Sequence, residues 1–545
     1  MSRGSGQPLE ERLEQLLSIG QALSAETNTD ALVEMILRGA RNLTNADAGT
    51  VYSVEEESFL SFETVHNDSL GLHLGGTSGN PVDFPTLPLY TEDGSPNDRN
   101  VAAYSAVSGE AVRIADAYDA EGFDFSGTRR IDAQTGYRSK SFLTVPMRDH
   151  EGSVIGVLQL INALDPHSGE PTEFSAADEK IASSLASQAA IALTKQQLID
   201  AQRALFNSFT KVIAKSIDRK NPTTGKHCER VPLLTMMVAD AINESQSSTT
   251  EDFKLSPEQY DELSLAAWLH DCGKVTTPEA IVNKATKLER QIDGINEIMT
   301  RAAATRQEAQ LKSLTEQHQA ITSGDTEAAE RAKEELKVFE QQLQDDMDFL
   351  CSANTGKEFM EEAAQERVDR IAERYTWTDH LGKEHPLLTE DEIENLKIRR
   401  GTLNQQEMAI MHDHVRVSRE MLEQLNFPKH LQRTPQIAGQ HHERMAGGGY
   451  PDNLAGEQIC FGARILAIAD VFEALTAPDR PYKETKTLSQ ALKIMGFMAE
   501  EGHFDKNLFQ IFIEEKVYLK YAHEHMLPEL IDEVDESSLP GLAKD

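Results

Sequence analysis

Cysteine is scarce in this chain. Its 545 residues include four, Cys228, Cys272, Cys351 and Cys460, at wide spacings that give neither a disulfide framework nor a paired zinc knuckle and point to a reducing compartment, the cytosol. Long apolar runs are lacking as well. The longest candidate, 154–163, is strand-like and interrupted by Gln159 and Asn162, so no membrane-spanning helix of roughly 18 to 20 residues is expected. The opening Met1-Ser2-Arg3-Gly4 leads into no apolar core of signal-peptide length. Positive charge is outnumbered, 53 Lys and Arg against 90 Asp and Glu, for a net −37. That balance argues against a surface built to gather nucleic-acid phosphates or anionic lipid headgroups. An anionic substrate must then meet a locally positive site, such as bound metal.

The length suggests about three or four domain-sized units. Apolar residues recur at three and four through 9–43 (Leu13, Leu16, Leu17, Ile19, Leu23, then Leu32, Met35, Ile36), which predicts two amphipathic helices. Strands are expected at 50–53, 58–65, 141–147 and 154–162, with a hairpin turn at Asp149-His150-Glu151-Gly152. The stretch 71–136 between the strand groups is rich in Gly, Ser, Asp and Pro and reads as a surface excursion, or as the lid of a pocket in a small-molecule sensor. From 172 to 221 there is neither glycine nor proline, so one rigid helix of about 75 Å is expected at 1.5 Å per residue. A second helical block starts near Asn221. It is interrupted over 288–372, where proline is absent and Thr322-Ser323-Gly324-Asp325 offers a turn, so an antiparallel helical hairpin is predicted there.

The histidines concentrate in that second block. Thr224-Gly225-Lys226-His227-Cys228-Glu229-Arg230-Val231, His270-Asp271-Cys272-Gly273-Lys274, His414, His441-His442-Glu443 and Asp470 supply a mixed nitrogen and oxygen set with a carboxylate able to bridge. A pair of hydrolytic metal ions needs such a set, and the ligand types point to iron, manganese or a similar metal rather than all-thiolate zinc. Each residue alone reads equally well as a satisfied polar group; the joint pattern carries the signal. His412 lies two residues before His414 and competes with it, although the spacing of Val417, Met421 and Leu422 favours His414.

Together, His270-Asp271-Cys272-Gly273-Lys274 and His441-His442-Glu443-Arg444-Met445-Ala446-Gly447-Gly448-Gly449-Tyr450-Pro451 resemble the HD-GYP branch of the HD superfamily of metal-dependent phosphohydrolases. The likeness covers about 221–512 apart from the interruption and continues through Ala463-Arg464-Ile465-Leu466-Ala467-Ile468-Ala469-Asp470 and Arg480-Pro481-Tyr482-Lys483. It implies an all-α bundle in which His227, His270, Asp271 and Asp470 hold one divalent metal, while Asp271 bridges to a second held by His414, His441 and His442. Lys274, Arg480 and Lys483 would contact the substrate phosphate, with Asp271 and Lys274 at the centre of catalysis. Glu443, Gly449, Tyr450 and Pro451 would shape the surroundings. The implied reaction is hydrolysis of cyclic di-GMP to the linear dinucleotide and onward to GMP. The mixed cyclic GMP-AMP dinucleotide is a sibling substrate, and a weakly catalytic sensor or a module docking diguanylate cyclase (GGDEF) domains is the alternative. The chain departs from the pattern at Thr223, where some members place a glutamate for a third metal, at Ala446 and Glu473, where aspartates are usual, and near Pro478.

Gly136-Tyr137-Arg138-Ser139-Lys140-Ser141 and 156–162, followed by Phe174 and Asp178-Glu179, resemble a GAF domain, most of all those of cyclic-nucleotide phosphodiesterases and adenylyl cyclases. Asn162, Phe174, Asp178 and Glu179 retain most of the Asn-Lys-Phe-Asp-Glu signature. Ala163 stands where its lysine, expected to pair with the aspartate, would be. A cyclic nucleotide, another small molecule or no ligand all remain open for this domain, but no cysteine precedes Cys228, so a thioether-linked bilin is excluded. The expected organisation is multidomain: an α+β GAF sensor at 1–171, a signalling helix at 172–220, and an all-α HD-GYP domain at 221–545 with its helical insertion at about 289–400. A homodimer joined along the long helices is expected.

Overall fold

The computed structural model describes residues 9–220, 226–245, 254–356, 359–477 and 486–542, and it forms two compact units, Met1–Phe206 and Asn207–Asp545. Among the described residues, no helix is long and apolar enough to cross a membrane.

The first unit opens with α1 (Leu9–Ala25) and α2 (Thr29–Thr44). The side chain of Asn28 caps α2 by accepting from the Ala31 amide, and Asn45 ends it in the left-handed conformation, donating its amide to the Arg41 carbonyl. Strands β1 (Ala46–Glu55), β2 (Phe59–Asn67), β3 (Leu72–Gly75) and β4 (Leu87–Pro88) follow, then α3 (Val101–Ser108), β5 (Val112–Ile114), α4 (Ser126–Thr135), β6 (Phe142–Arg148), β7 (Val154–Leu164) and β8 (Pro171–Thr172). The sheet runs β3-β2-β1-β7-β6-β5, with β4 added to β2 and β8 to β7, and its pairs are antiparallel, for example Val51 opposite Leu158 and Leu143 opposite Leu160. Alternation divides its side chains between two cores. Leu143, Val145, Met147, Leu158 and Leu160 meet α1, α2 and the start of α5 (Ala176–Lys220) on one face. Tyr52 and Val157 meet α3 on the other, and Phe142 joins Ala117 and Phe125 beside them.

Two expectations change here. The stretch 71–136 is no mere excursion: it contributes β3, β4, α3, β5 and α4, and Val101, Ala102, Ala103, Ala117 and Phe125 are buried. These elements are too short for periodicity to reveal. Only tertiary packing and caps such as Asn100, whose side chain accepts from the Ala102 and Ala103 amides, hold them. The long helix starts at Ala176 rather than 172, because Pro171–Thr172 pair with β7. Its first turns, through Ile181, Leu185, Ala189 and Leu193, belong to the sheet's core.

Ala163 in place of the expected lysine has a structural counterpart. Asp178 Oδ1 accepts from Arg12 Nη2 on α1 at 2.7 Å, and both side chains are buried. Arg12 Nη2 also donates to the Leu43 carbonyl, and Asp178 Oδ2 accepts from the Ser175 amide and hydroxyl. Asn162, at φ 55°, accepts from the Lys140 and Ser141 amides and donates to Tyr137 Oη and the Arg138 carbonyl.

The second unit contains α6 (His227–Glu244), α7 (Pro257–Leu269) and α8 (Glu279–Val282) before the interruption. There α9 (Ile295–Thr322) and α10 (Thr326–Asn354) form the predicted hairpin; Gly324 turns at φ 78° and Asp325 caps α10 through the Ala328 amide. The hairpin ends sooner than expected. Residues up to 372 and beyond form α11 (Glu362–Arg374), a two-stranded ribbon of β9 (Thr376–Thr378) and β10 (Glu384–Pro386), and α12 (Glu390–Leu396). Ile298, Leu343, Leu350, Val368, Tyr375 and Leu396 give this insertion its own core. The bundle resumes with α13 (Gln405–Glu423), α14 (Thr434–Gly439), α15 (Phe461–Thr476), α16 (Leu488–Glu500), α17 (Lys506–Glu514) and α18 (Val517–His525). Val231, Leu234, Ala266, Leu466, Phe472, Leu492, Phe512 and Tyr521 share its core.

Candidate metal centre

The apolar core positions the polar cluster by burying one face of each contributing helix. His227 opens α6, His270 caps the C-terminus of α7, and Asp271 precedes the 3-10 turn Cys272–Thr276 that carries Lys274. Gly273 is required here by contact: a Cβ would lie 2.1 Å from the His414 carbonyl oxygen and 2.6 Å from the Ser418 amide. Without one, the turn presses against α13, and the Gly273 amide donates to Ser418 Oγ at 2.8 Å. His414 comes from α13, His441 and His442 from the turn after α14, and Asp470 from α15.

Ligand atoms of His227, His270 and Asp271 lie within 4.8 Å of one another, and so do those of His414, His441 and His442. Asp271 lies between the groups. Its Oδ2 is 3.2 Å from both His227 Nε2 and His270 Nε2, while Oδ1 is 3.1 Å from His414 Nε2. Asp470 also reaches both groups, Oδ1 at 3.3 Å from His227 Nε2 and Oδ2 at 3.9 Å from His442 Nδ1.

Three imidazoles are oriented alike. Nδ1 of His270, His414 and His441 lies 2.7, 2.5 and 2.6 Å from the carbonyls of Ala267, Met411 and Ala438. A carbonyl can only accept, so each Nδ1 carries a proton, and in the neutral ring that a metal requires each Nε2 presents a lone pair. Those three Nε2 atoms and Asp271 Oδ1 are buried without a hydrogen-bond partner. Unsatisfied acceptors converging in a buried cluster are costly, and a divalent cation pair is what this donor set fits.

The electrostatics agree. Burial, and then the neighbouring His270, holds His441 down at about 3, and burial with His441 beside it holds His442 well below the usual histidine range; both stay neutral, as ligands must. Burial opposes ionisation of Asp271, but Lys274, whose Nζ is 2.5 Å away, and His270 outweigh it and keep the carboxyl far below its ordinary value. Burial likewise disfavours a charged Lys274, and Asp271 overrides it and raises the lysine. His227 differs from these two: with no cation present, and against burial, Glu473 and Asp271 push it up to about 10, so a metal ion at its Nε2 would have to displace that proton.

Glu473 is the residue whose part the sequence did not reveal. It is buried, its Oε2 2.6 Å from His227 Nδ1 and its Oε1 accepting from Arg230 Nε at 2.7 Å. Its place three residues after Asp470, on the same face of α15, was the available signal. Of the other residues singled out, Glu443 accepts from the Asp452 and Leu454 amides and so ties down the glycine-rich loop. Gly447 and Gly448 have φ of 82° and 77°. Gly449 instead allows close approach, since a Cβ there would meet Glu443 Cα at 2.5 Å. Tyr450 lies 4.9 Å from the His442 ring and stacks on His412, which is therefore outside both ligand groups. Pro451 follows, partly buried. Arg480 and Lys483, as well as Thr223 and Pro478, lie outside the described residues.

Residues 28–193 match the family model of the GAF domain and 389–508 that of the HD domain. The second match takes in His414, His441, His442 and Asp470 but stops short of His227, His270 and Asp271, which the fold alone brings to them. Among known proteins, the chain is 43% identical over 99 residues to a cyclic di-GMP phosphodiesterase response regulator of Xanthomonas campestris, covering 18% of this chain and 26% of that one. It is 41% identical over 115 residues to a 3'3'-cGAMP-specific phosphodiesterase of Vibrio cholerae, covering 21% of each. Over 174 residues it is 33% identical to a dual 3',5'-cyclic-AMP and -GMP phosphodiesterase of Drosophila melanogaster, covering 29% of this chain and 11% of that one. The matches thus span about a quarter or less of these relatives' lengths.

Proposed function

For a chain that carries a GAF domain and an HD domain, we propose a metal-dependent phosphodiesterase that opens a cyclic dinucleotide, cyclic di-GMP first, with the GAF domain as its regulator. The observation that carries the reading is Asp271, set between two groups of histidine ligand atoms drawn from opposite sides of a long insertion. His227, His270, Asp271 and Asp470 would hold one divalent ion, iron or manganese, and Asp271, His414, His441 and His442 the other. When bound, such a pair supplies an activated water at neutral pH and charge stabilisation for in-line displacement at phosphorus.

The chain's own groups do the rest. Lys274 holds a partly buried positive charge beside Asp271, placed to draw in a phosphate oxygen and to balance charge as the phosphorus becomes five-coordinate. Glu473 fixes the ring of His227, and three backbone carbonyls fix those of His270, His414 and His441, so these groups are set before substrate arrives. Arg480 and Lys483 are proposed as further phosphate contacts.

Relatives named for cyclic di-GMP and for 3'3'-cGAMP make the mixed dinucleotide the second substrate to test. The exposed Ile191, Leu198, Leu205 and Val212 repeat every seven residues along α5, and that spacing supports a parallel homodimer; the scarce, unpatterned cysteines support the cytoplasm as its compartment. Ligand binding to the GAF domain would act by shifting α5 within such a pair. GGDEF domains are candidate partners for the loop at Gly449.

The test is product analysis with anaerobically prepared, iron- or manganese-loaded protein given each dinucleotide, beside Asp271→Asn. Linear dinucleotide or GMP from the parent and none from the variant is expected. Full metal occupancy with no product from either substrate would replace hydrolysis by a sensing or docking role.

A further inference from the structure

The aromatic rings beside the metal centre form a ladder leading outward. His414 and His442 are 5.6 Å apart between ring centroids, His442 and Tyr450 4.9 Å, and Tyr450 and His412 3.9 Å with their planes only 12° from parallel. The first two rings carry ligand atoms of the His414, His441 and His442 group. The last two do not, and both Tyr450 and His412 are partly exposed. Tyr450 is held from beneath: Gly449 sits against Glu443 and His442, and Glu443 anchors the chain beyond at Asp452 and Leu454. His412 is held by α13, two residues before His414.

We propose that the His412–Tyr450 stack is the platform on which a purine base of the substrate lies. This rests on the cyclic dinucleotide reading above, and it gives His412 a part other than metal ligation. The chemistry is that of a flat π-face. A base is one sugar away from its phosphate, so a dinucleotide whose scissile phosphate meets Asp271 and Lys274 must set a base down close by. The stacked pair offers a flat aromatic surface next to His442, whose ligand atom lies within 4.8 Å of that of His414, itself beside Asp271. Stacking on a ring is tolerant of guanine and adenine alike, so the platform secures the substrate without choosing between the two dinucleotides.

The experiment compares the parent protein with His412→Ala and His412→Phe. The readouts are binding of cyclic di-GMP by calorimetry, its KM and kcat, the inhibition constant of inorganic phosphate, which has no base, and metal content. The expected result for His412→Ala is weaker cyclic di-GMP binding and higher KM by roughly 5- to 150-fold, the range of base–aromatic stacking. Phosphate inhibition and metal content stay at the parent values, and His412→Phe, which keeps a flat ring, recovers most of the loss. Unchanged dinucleotide binding in His412→Ala, or an equal loss of phosphate inhibition or metal, overturns the platform. Binding that depends on His412 without any turnover keeps the platform and removes the hydrolytic reading.

Discussion

Replacing Arg12 with alanine should loosen the GAF domain, because Arg12 supplies the charge that a lysine at position 163 would otherwise bring to Asp178. Arg12 and Asp178 are each about one-tenth exposed at the side chain, and their atoms are 2.7 Å apart. Breaking a buried pair from one side costs about 3–5 kcal/mol, since the remaining charge stays buried without its partner. Asp178 keeps its two bonds from Ser175, which lowers the expected loss to about 2–3 kcal/mol. For a unit of this size, each kcal/mol moves the midpoint by about 2–4 °C, so the first unit's calorimetric transition in the full chain should fall by roughly 4–12 °C. Ala163 is buried in the same cluster as Phe174 and Ile181, the residues flanking Asp178, so Ala163→Lys introduced into Arg12→Ala should recover part of the loss. The double variant Arg12→Ala with Asp178→Ala should be less damaged than the sum of the singles. Strict additivity, or an Arg12→Ala midpoint equal to the parent's, would refute the pairing.

Three further outcomes are expected. Glu473→Ala should weaken metal binding about 10- to 100-fold, by loss of the carboxylate behind a ligating imidazole, with Glu473→Asp intermediate; metal titration followed by elemental analysis reads both. Lys287, just before the insertion, is buried against it, its Nζ bonded to the Leu396 carbonyl, and burial lowers its pKa to about 8. Between pH 8 and the ordinary lysine value the unfolded chain therefore binds the extra proton, so stability rises with pH across that window and the penalty is complete below it. Lys287→Met should thus raise urea resistance of the second unit at pH 7, with the advantage shrinking toward pH 10; an advantage constant with pH would remove burial of the charge as its cause. Leu198→Glu with Leu205→Glu should turn a dimer into a monomer in light scattering, whereas a parent protein that is already monomeric would discard the seven-residue seam as an interface.

What the sequence determined by itself were features carried by local periodicity and by chemically specific strings. The two opening helices, the strands around 50, 60, 145 and 158, the hairpin turning at Gly324 and the candidate ligand residues from His227 to Asp470, which the structure brings together, were all legible, because amphipathic spacing and metal-binding residue types are local properties of a chain. Tertiary structure decided the rest. The stretch 71–136 became helix and strand only through packing, its elements being too short to announce themselves. The insertion proved to be a small unit with its own core rather than a hairpin alone. His412 and His414, two residues apart, differ in which way each ring lies on α13: His414 toward Asp271 and His412 onto Tyr450. Arg12 behind Asp178 and Glu473 behind His227, the latter 246 positions away, could not be read from spacing, because ion pairs between distant segments exist only once the apolar cores have fixed where those segments meet.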